Sequence, residues 1–375
     1  MARSRSRRGA ARRRGRRFLA GWRDGYPLGW QHGHWFGRCE AIVQAFLPPV
    51  VRRPIRVLYV ATGKGYPYTA IDEGMVQTLQ PMVERLIVAN PLEQDVRAIA
   101  VRHRPHLMLV LDGMNMPPEQ VLKIRDAGIR AAIWFTDDPY YTDLTARLAP
   151  YYDFVFTLER NCVPFYSQLG CRAFHLPLGV FPQAFRPRNP PLELRGDFCF
   201  VGTAYWNRVG LFHALLPMVA HRRFRLSGMW WERLPDYRRW RDRIGPGSWM
   251  TPLQTAAFYN AHKLVINVHR AHDDPTFNKN AAGIRAISPN PRTFEIAACG
   301  TLQLTDWRDD LALYYVPGAE IETYASPEEL AMKIEYYLTH EEARQQMALM
   351  ALRRTMRDHT YISRLSVLLD VAMSG

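Results

Sequence analysis

From Ile55 onward, short apolar runs alternate with stretches in which apolar residues recur every three to four positions. The runs IRVLYVAT, RLIVAN, HLMLVLDG, AAIWFTDD, DFVFTL and RAFHLPLG have the length and the β-branched and aromatic content of buried strands. Helical spacing fills most of the gaps, as in EQDVRAIAVRHR and PEQVLKIRDAG. Such alternation predicts a parallel sheet with helices on both faces. The stretch FPQAFRPRNPPLELRGD, rich in proline and charge, breaks the pattern and reads as a linker. A second series comes after it: DFCFVGT, RFRLSG, KLVINVH, TLQLTD and EIETYA. The chain then ends in helical segments, the first, SPEELAMKIEYYLTH, opening on a Ser326 cap with Glu329 placed for a capping box. The expected fold class is α/β, with two Rossmann-like domains joined near residue 190. Ligands bind such sheets beyond the carboxyl ends of their strands, so the two binding edges should face each other across a cleft.

The first 50 residues obey another rule. Nine arginines fall within MARSRSRRGAARRRGRR with no acid among them, so the net charge of +14 leaves 14 − 9 = +5 for the remainder. This reads as a disordered tail over residues 1–18, either simply solvated or able to touch an anionic surface or nucleic acid. It lacks the apolar stretch of a secretory signal. Glycine then recurs at 21, 25, 29, 33 and 37, with Trp22, Tyr26, Trp30 and His34 in step. A period of four lays a glycine ridge beside an aromatic one along a helix, interrupted at Pro27. Each interior glycine costs about 1 kcal/mol relative to alanine, so the ridge is expected to pack against its own domain or a partner chain, a homodimer included.

Composition narrows the class. A chain of 375 residues that is 47% hydrophobic suits two packed domains, and no apolar run approaches the roughly 18 residues of a membrane span. The five cysteines are scattered with no CxxC pair, which speaks against a disulfide framework or zinc site and fits a reducing cytoplasm.

Candidate chemistry lies at the strand ends. Asp137 and Asp138 close AAIWF, where adjacent carboxylates bind a hydroxyl, act as general base or chelate a metal; equally, one caps the next helix. ATGKGYPYTA lacks P-loop spacing and reads as a flexible loop on the cleft. In FVGTAYWNR, Gly202 and Thr203 let backbone approach phosphate while Arg208 neutralises it. Asn267, His269 and Arg270 come after KLVIN at its binding edge, with His269 either catalytic or structural, and Lys279 in the next polar loop is a weaker phosphate candidate. In NPRTFEIAACGTLQLTD, Asn290 caps a helix whose first position is Pro291 and Gly300 closes it. Glu295 stands one turn in, beside the apolar face of Phe294, Ala297 and Ala298.

Four segments in order carry a resemblance. HLPLGVFPQAFRP resembles the interdomain segment of GT-B glycosyltransferases, and NPRTFEIAACGTLQLTD the donor-binding segment of their group 1 (GT4-like) family. SPEELAMKIEYYLTHEEARQQM with DHTYISRLSVLL is similar to that family's C-terminal helices. IWFTDDPYY with DFVFTLERNCVPFYSQLGCRAFHLPLG resembles the N-terminal half of the spore CgeB group. The resemblance, over roughly residues 55–372, implies a metal-independent, cofactor-free transferase of GT-B architecture. Its parts would be the tail 1–18, the glycine–aromatic segment 19–50, an acceptor domain 51–190, a nucleotide-sugar domain 191–358 and a terminal helix 359–375 that crosses back. The donor is expected to be a UDP-sugar and the acceptor a glycan or glycoprotein, with cytoplasmic or spore-surface location. Glu295 would accept both ribose hydroxyls, with the N–H groups of Arg292 and Thr293 and the side chains of Asn290 and Phe294 in the same donor segment. Many retaining members carry a second glutamate eight positions earlier, where this chain has Ile287. A non-catalytic nucleotide-sugar or glycan-binding protein, or a nucleic-acid-binding protein led by the tail, are the alternatives.

Overall fold

A computed structural model describes residues 2–374. In the first half, β1 (Arg53–Val60), β2 (Val83–Ala89), β3 (Leu107–Leu111), β4 (Arg130–Phe135), β5 (Phe154–Thr157) and β6 (Ala173–His175) form one parallel sheet in the order β2-β1-β3-β4-β5-β6. In the second, β7 (Gly196–Val201), β8 (Phe224–Ser227), β9 (His262–Asn267), β10 (Leu302–Asp306) and β11 (Glu322–Tyr324) form another in the order β11-β10-β9-β7-β8. β3 and β4 are buried along nearly their whole length, as strands covered on both faces must be. Each of the eleven apolar runs singled out in the sequence is one of these strands.

The chain crosses between the sheets twice, and the crossings touch. Val180 N–H donates to His359 O at 2.9 Å, and Tyr361 N–H donates back to Val180 O at 2.9 Å. Gly179 permits this: a Cβ there would stand 2.7 Å from His359 O. The last helix, Tyr361–Met373, then buries Leu365, Leu368 and Leu369 in the core of the first sheet, with Tyr59, Met75 and Trp134. Arg53 fastens it there through Asp370 at 2.7 Å and the Ser366 hydroxyl at 2.8 Å.

The amino-terminal segment departs from expectation. The tail 1–18 and the break at Pro27 give way to one helix, Ala2–Phe46. Alanine and arginine are good helix formers, and a helix anchored at one end propagates cheaply. The glycine ridge is also not packed: a Cβ at Gly21, Gly25, Gly29 or Gly33 would meet nothing within 4 Å, and Trp22, Tyr26 and Trp30 are exposed. A different stripe docks the helix. Trp35, Cys39, Ile42, Val43 and Phe46 pack into the second domain's core, and Glu40 pairs with Arg186 at 2.6 Å. Cys39 Sγ lies so close to Gly300 that a Cβ there would stand 3.2 Å from it. Deleting residues 1–30 should therefore leave the thermal midpoint within about 2 °C, because the buried stripe begins later. Deletion through Phe46 empties the Cys39 and Val43 sites, costs about 2–5 kcal/mol or more, and should lower the midpoint by at least about 5 °C. Scanning calorimetry of the two truncations reads the difference; equal midpoints would show that the stripe contributes nothing.

Candidate active site

The carboxyl ends of the two sheets enclose a cavity of about 360 Å³. The first domain supplies Tyr66 and Tyr68 from the loop after β1, Asp137 and Tyr140 after β4, and Glu159 after β5. The second supplies Thr203, Arg208, Arg270, Asn290, Arg292 and Glu295, with Trp249 and Met250 along one side.

Arg208 is the electrostatic centre of the second domain's wall. Its guanidinium is 4% exposed; Nε donates to Val268 O at 3.0 Å and Nη1 to Thr203 O at 2.9 Å. Gly202 makes room, because a Cβ there would lie 3.0 Å from Arg208 Nη1. Burial, and then the charge of Arg292, lower the Arg208 pKa to about 10. Arg270 sits among the rings of Tyr140, Tyr205 and Tyr141 at 4.5, 4.6 and 5.3 Å, with Nη2 donating to Phe277 O. Among the described residues Arg292 makes no hydrogen bond or ion pair, and neither Arg208 nor Arg270 has a carboxylate within ion-pair distance. Burying guanidinium groups without counter-charge is costly, and an anion entering the cavity would relieve it.

Glu295 faces this group one turn into the helix Pro291–Ala298. Burial raises its pKa against the opposing charge of Arg292, and no donor reaches its carboxyl among the described residues. Asn290 lines the cavity but is occupied as the helix cap, accepting from Thr293 N–H at 3.1 Å. That corrects the expectation of a free Thr293 N–H; the Arg292 N–H alone of the two is left without a partner among the described residues.

Six candidates lie off the cavity or serve the scaffold. Asp138 borders the cavity, but its carboxyl does not face the cleft: three hydroxyls surround it, Thr157 at 2.7 Å, Tyr166 at 2.9 Å and Thr145 at 3.2 Å. Nor does it cap a helix, since the residue before Thr142–Leu148 is Tyr141. His269 is turned inward, its Nδ1 2.6 Å from Asp306 Oδ1, and burial lowers its pKa so that the neutral ring donates to an ionised Asp306. Asn267 is buried in an amide network with Asn290, Thr293 and Gln303 that shapes the start of the helix. Thr293, fully buried, belongs to the same network. Phe294 is core, packed on Tyr314, Tyr315 and His359. Lys279 points to solvent, and only its backbone matters: N–H to Tyr140 O at 2.7 Å and O from Asp143 N–H at 2.9 Å. Asp137 remains, at the cavity, accepting from Tyr68 OH at 2.7 Å.

Glu159 was not singled out in the sequence, although a carboxylate just after β5 occupies the same kind of strand end as Asp137. Its Oε2 accepts from the N–H groups of Ile287 and Ser288 at 3.0 and 3.1 Å. These N–H groups belong to the position, Ile287, where the sequence has no acid of its own, and to the residue after it. Among the described residues no group of three or more His, Cys, Asp or Glu is placed to hold a metal, and no helix is long and apolar enough to cross a membrane.

Comparison with known proteins accounts for this arrangement. Residues 208–370 match the family described as glycosyl transferase-like. The chain is 28% identical to the spore protein CgeB of Bacillus subtilis over 309 residues, 82% of this chain and 95% of that protein. HepE of Anabaena, solved with UDP and glucose, superposes with a TM-score of 0.57 at 11% identity, over 86% of this chain and all of that one. A glycosyltransferase from Rickettsia africae gives 0.59 at 10% identity, over 86% and 98%. The chain has the GT-B fold. Two Rossmann-like domains thus face each other around the cavity, as in these glycosyltransferase structures.

Asp138 gives the protein a measurable signature. Burial lifts its pKa from 3.8 to about 7. The fold thus favours the protonated form, so the stability this adds is complete below about pH 4 and is lost as pH rises through about 7. The stability of wild type relative to Asp138→Asn should accordingly fall between pH 5 and pH 8, as read by urea unfolding at both. A difference that does not change with pH would mean this carboxyl titrates normally.

Proposed function

We propose that the protein is a glycosyltransferase that draws its sugar from a uridine diphosphate sugar held by the second domain and passes it to a hydroxyl acceptor held by the first. The observation that supports this best is the pairing of opposite deficits at one cavity. Arg208, Arg270 and Arg292 lack counter-anions there, and Glu295 lacks donors. A nucleoside diphosphate meets both needs, its diphosphate answering the arginines and its ribose diol the carboxylate. Trp249 and Met250 supply the apolar surface on which a base would lie. As the bond to the leaving group breaks, negative charge grows on the diphosphate beside the arginines, which act where a metal would otherwise be needed. Asp137, oriented by Tyr68, would accept the hydrogen bond of the acceptor hydroxyl. A glycan or glycoprotein acceptor, and a place at the spore surface in the cell that makes the protein, rest on likeness to CgeB.

UDP should stabilise the protein against heat more than GDP or TDP, by about 2.7 kcal/mol at 100 times its Kd. Glu295→Gln keeps the size of the side chain, removes its charge and introduces a competing donor. It should weaken UDP binding by roughly 10- to 150-fold and abolish most of the discrimination against the 2′,3′-dideoxy analogue, both measurable by calorimetry. Equal discrimination in wild type and variant would put the ribose elsewhere. Asp137→Asn should instead leave UDP affinity unchanged and lower transfer by about 10²-fold or more. Activity should also persist in excess EDTA; loss restored by Mn²⁺ would sink the arginine-based mechanism. Slow hydrolysis of the UDP-sugar without acceptor separates a transferase from a non-catalytic binder, which would show none.

A further inference from the structure

The segment from Val268 to Asn290 leaves β9, runs irregularly between the domains and returns at the donor helix. The first domain grips it at two places. Nearer its start, Tyr140 OH donates to Arg270 O at 3.1 Å, and Thr142 Oγ1 donates to Asn280 Oδ1 at 3.0 Å. Nearer its end, the loop after β5 takes hold through Glu159, Arg160 and Asn161. Glu159 is 1% exposed, and its carboxylate accepts three backbone N–H groups, from Asn161, Ile287 and Ser288, at 3.0, 3.0 and 3.1 Å. Asn161 Nδ2 donates to Arg285 O at 2.9 Å. Arg160 N–H donates to Ser288 Oγ at 3.1 Å, and that hydroxyl donates to Asp310 at 2.8 Å.

The chain beyond Ser288 is stiff. The sequence runs Ser288-Pro289-Asn290-Pro291, and a residue before proline is confined to extended conformations while each proline has a fixed φ. Asn290 is extended, at φ −75° and ψ 163°, and caps the helix that carries Arg292 and Glu295. Four residues of restricted rotational freedom therefore connect the N–H groups held by Glu159 to the first turn of the donor helix.

We propose that Glu159 is a positioning residue for the donor: from the acceptor domain, it fixes the 287–290 segment and through it the placement of Arg292 and Glu295. Binding of a nucleotide by the second domain then depends on a carboxylate of the first, and the two half-sites are assembled together. This role rests on the cavity's being the nucleotide-sugar site.

Three variants of the full chain test it. Glu159→Met keeps the bulk and removes every acceptor; Glu159→Gln still has one oxygen to offer Ile287 and Ser288; Thr142→Ala loosens the other grip and leaves 287–290 alone. Calorimetry with UDP should show affinity reduced at least about tenfold in Glu159→Met, largely recovered in Glu159→Gln, and unchanged in Thr142→Ala. Hydrogen exchange should speed up at the amides of residues 287 and 288 in Glu159→Met. An equal loss of UDP affinity in Thr142→Ala would reduce Glu159 to one tether among several and overturn the proposal, as would UDP affinity in Glu159→Met within twofold of wild type. Should wild type itself fail to bind UDP, the donor reading falls; unchanged protection of residues 287 and 288 in Glu159→Met would then overturn the positioning role by itself. If Glu159→Met does not fold, Glu159→Ala, which also removes every acceptor, takes its place in both measurements with the same expected losses and the same overturning results.

Discussion

The arrangement depends on two crossings of the chain lying side by side where Gly179 meets His359. A side chain at Gly179 would drive the strands apart, and the hydrogen bonds exchanged by Val180 with His359 and Tyr361 would be lost. Because the second crossing ends in a helix buried in the first sheet's core, the first domain is not complete without the end of the chain. The carboxyl ends of both sheets are thereby turned toward one space. The cavity is a consequence of this geometry before it is a matter of any particular side chain.

Within that space the charges are arranged to be incomplete. Elsewhere arginines are paired with buried carboxylates: Arg160 meets Asp310 and Arg354 meets Glu320. Arg270 is instead surrounded by tyrosine rings, whose faces attract a cation without neutralising it. Arg208 gives its protons to backbone carbonyls. A carboxylate in either place would hold the guanidinium more firmly and would compete with an incoming diphosphate. The cost of leaving them unpaired is carried by the packed core beneath, where Trp231 stands edge to face with Phe200 and Phe212.

The strands and the helix capped by Asn290 were legible because each rests on local information. Strand lengths show in the apolar runs, and Asn290, Pro291 and Gly300 mark a helix through backbone chemistry that needs no partner. Residues with long-range duties were less legible. Asp137 and Asp138 are neighbours of the same type at the end of one strand, yet one faces the cavity and the other is closed in by Thr145, Thr157 and Tyr166. Strand alternation sends neighbours to opposite sides, and sequence does not say which side is open. The glycine ridge drew the eye by its period of four, while the stripe that docks, from Trp35 to Phe46, is irregular and unremarkable without the surface it meets.

The order of residues was enough to establish two series of α/β elements and a capped helix at Pro291–Ala298 with a carboxylate one turn inside it. Periodicity and capping account for these, and both act over a few residues. Which polar groups were already spent depended on the folded chain. His269 is used up by Asp306, Asn267 and Thr293 by the amide network, and Phe294 by the core, so they support the site without lining it. Glu159 became a donor-site residue because folding brings it to Ile287 and Ser288, 128 and 129 positions away. A hydrogen bond is decided by distance and direction in space, and those exist only once the two sheets have been set face to face.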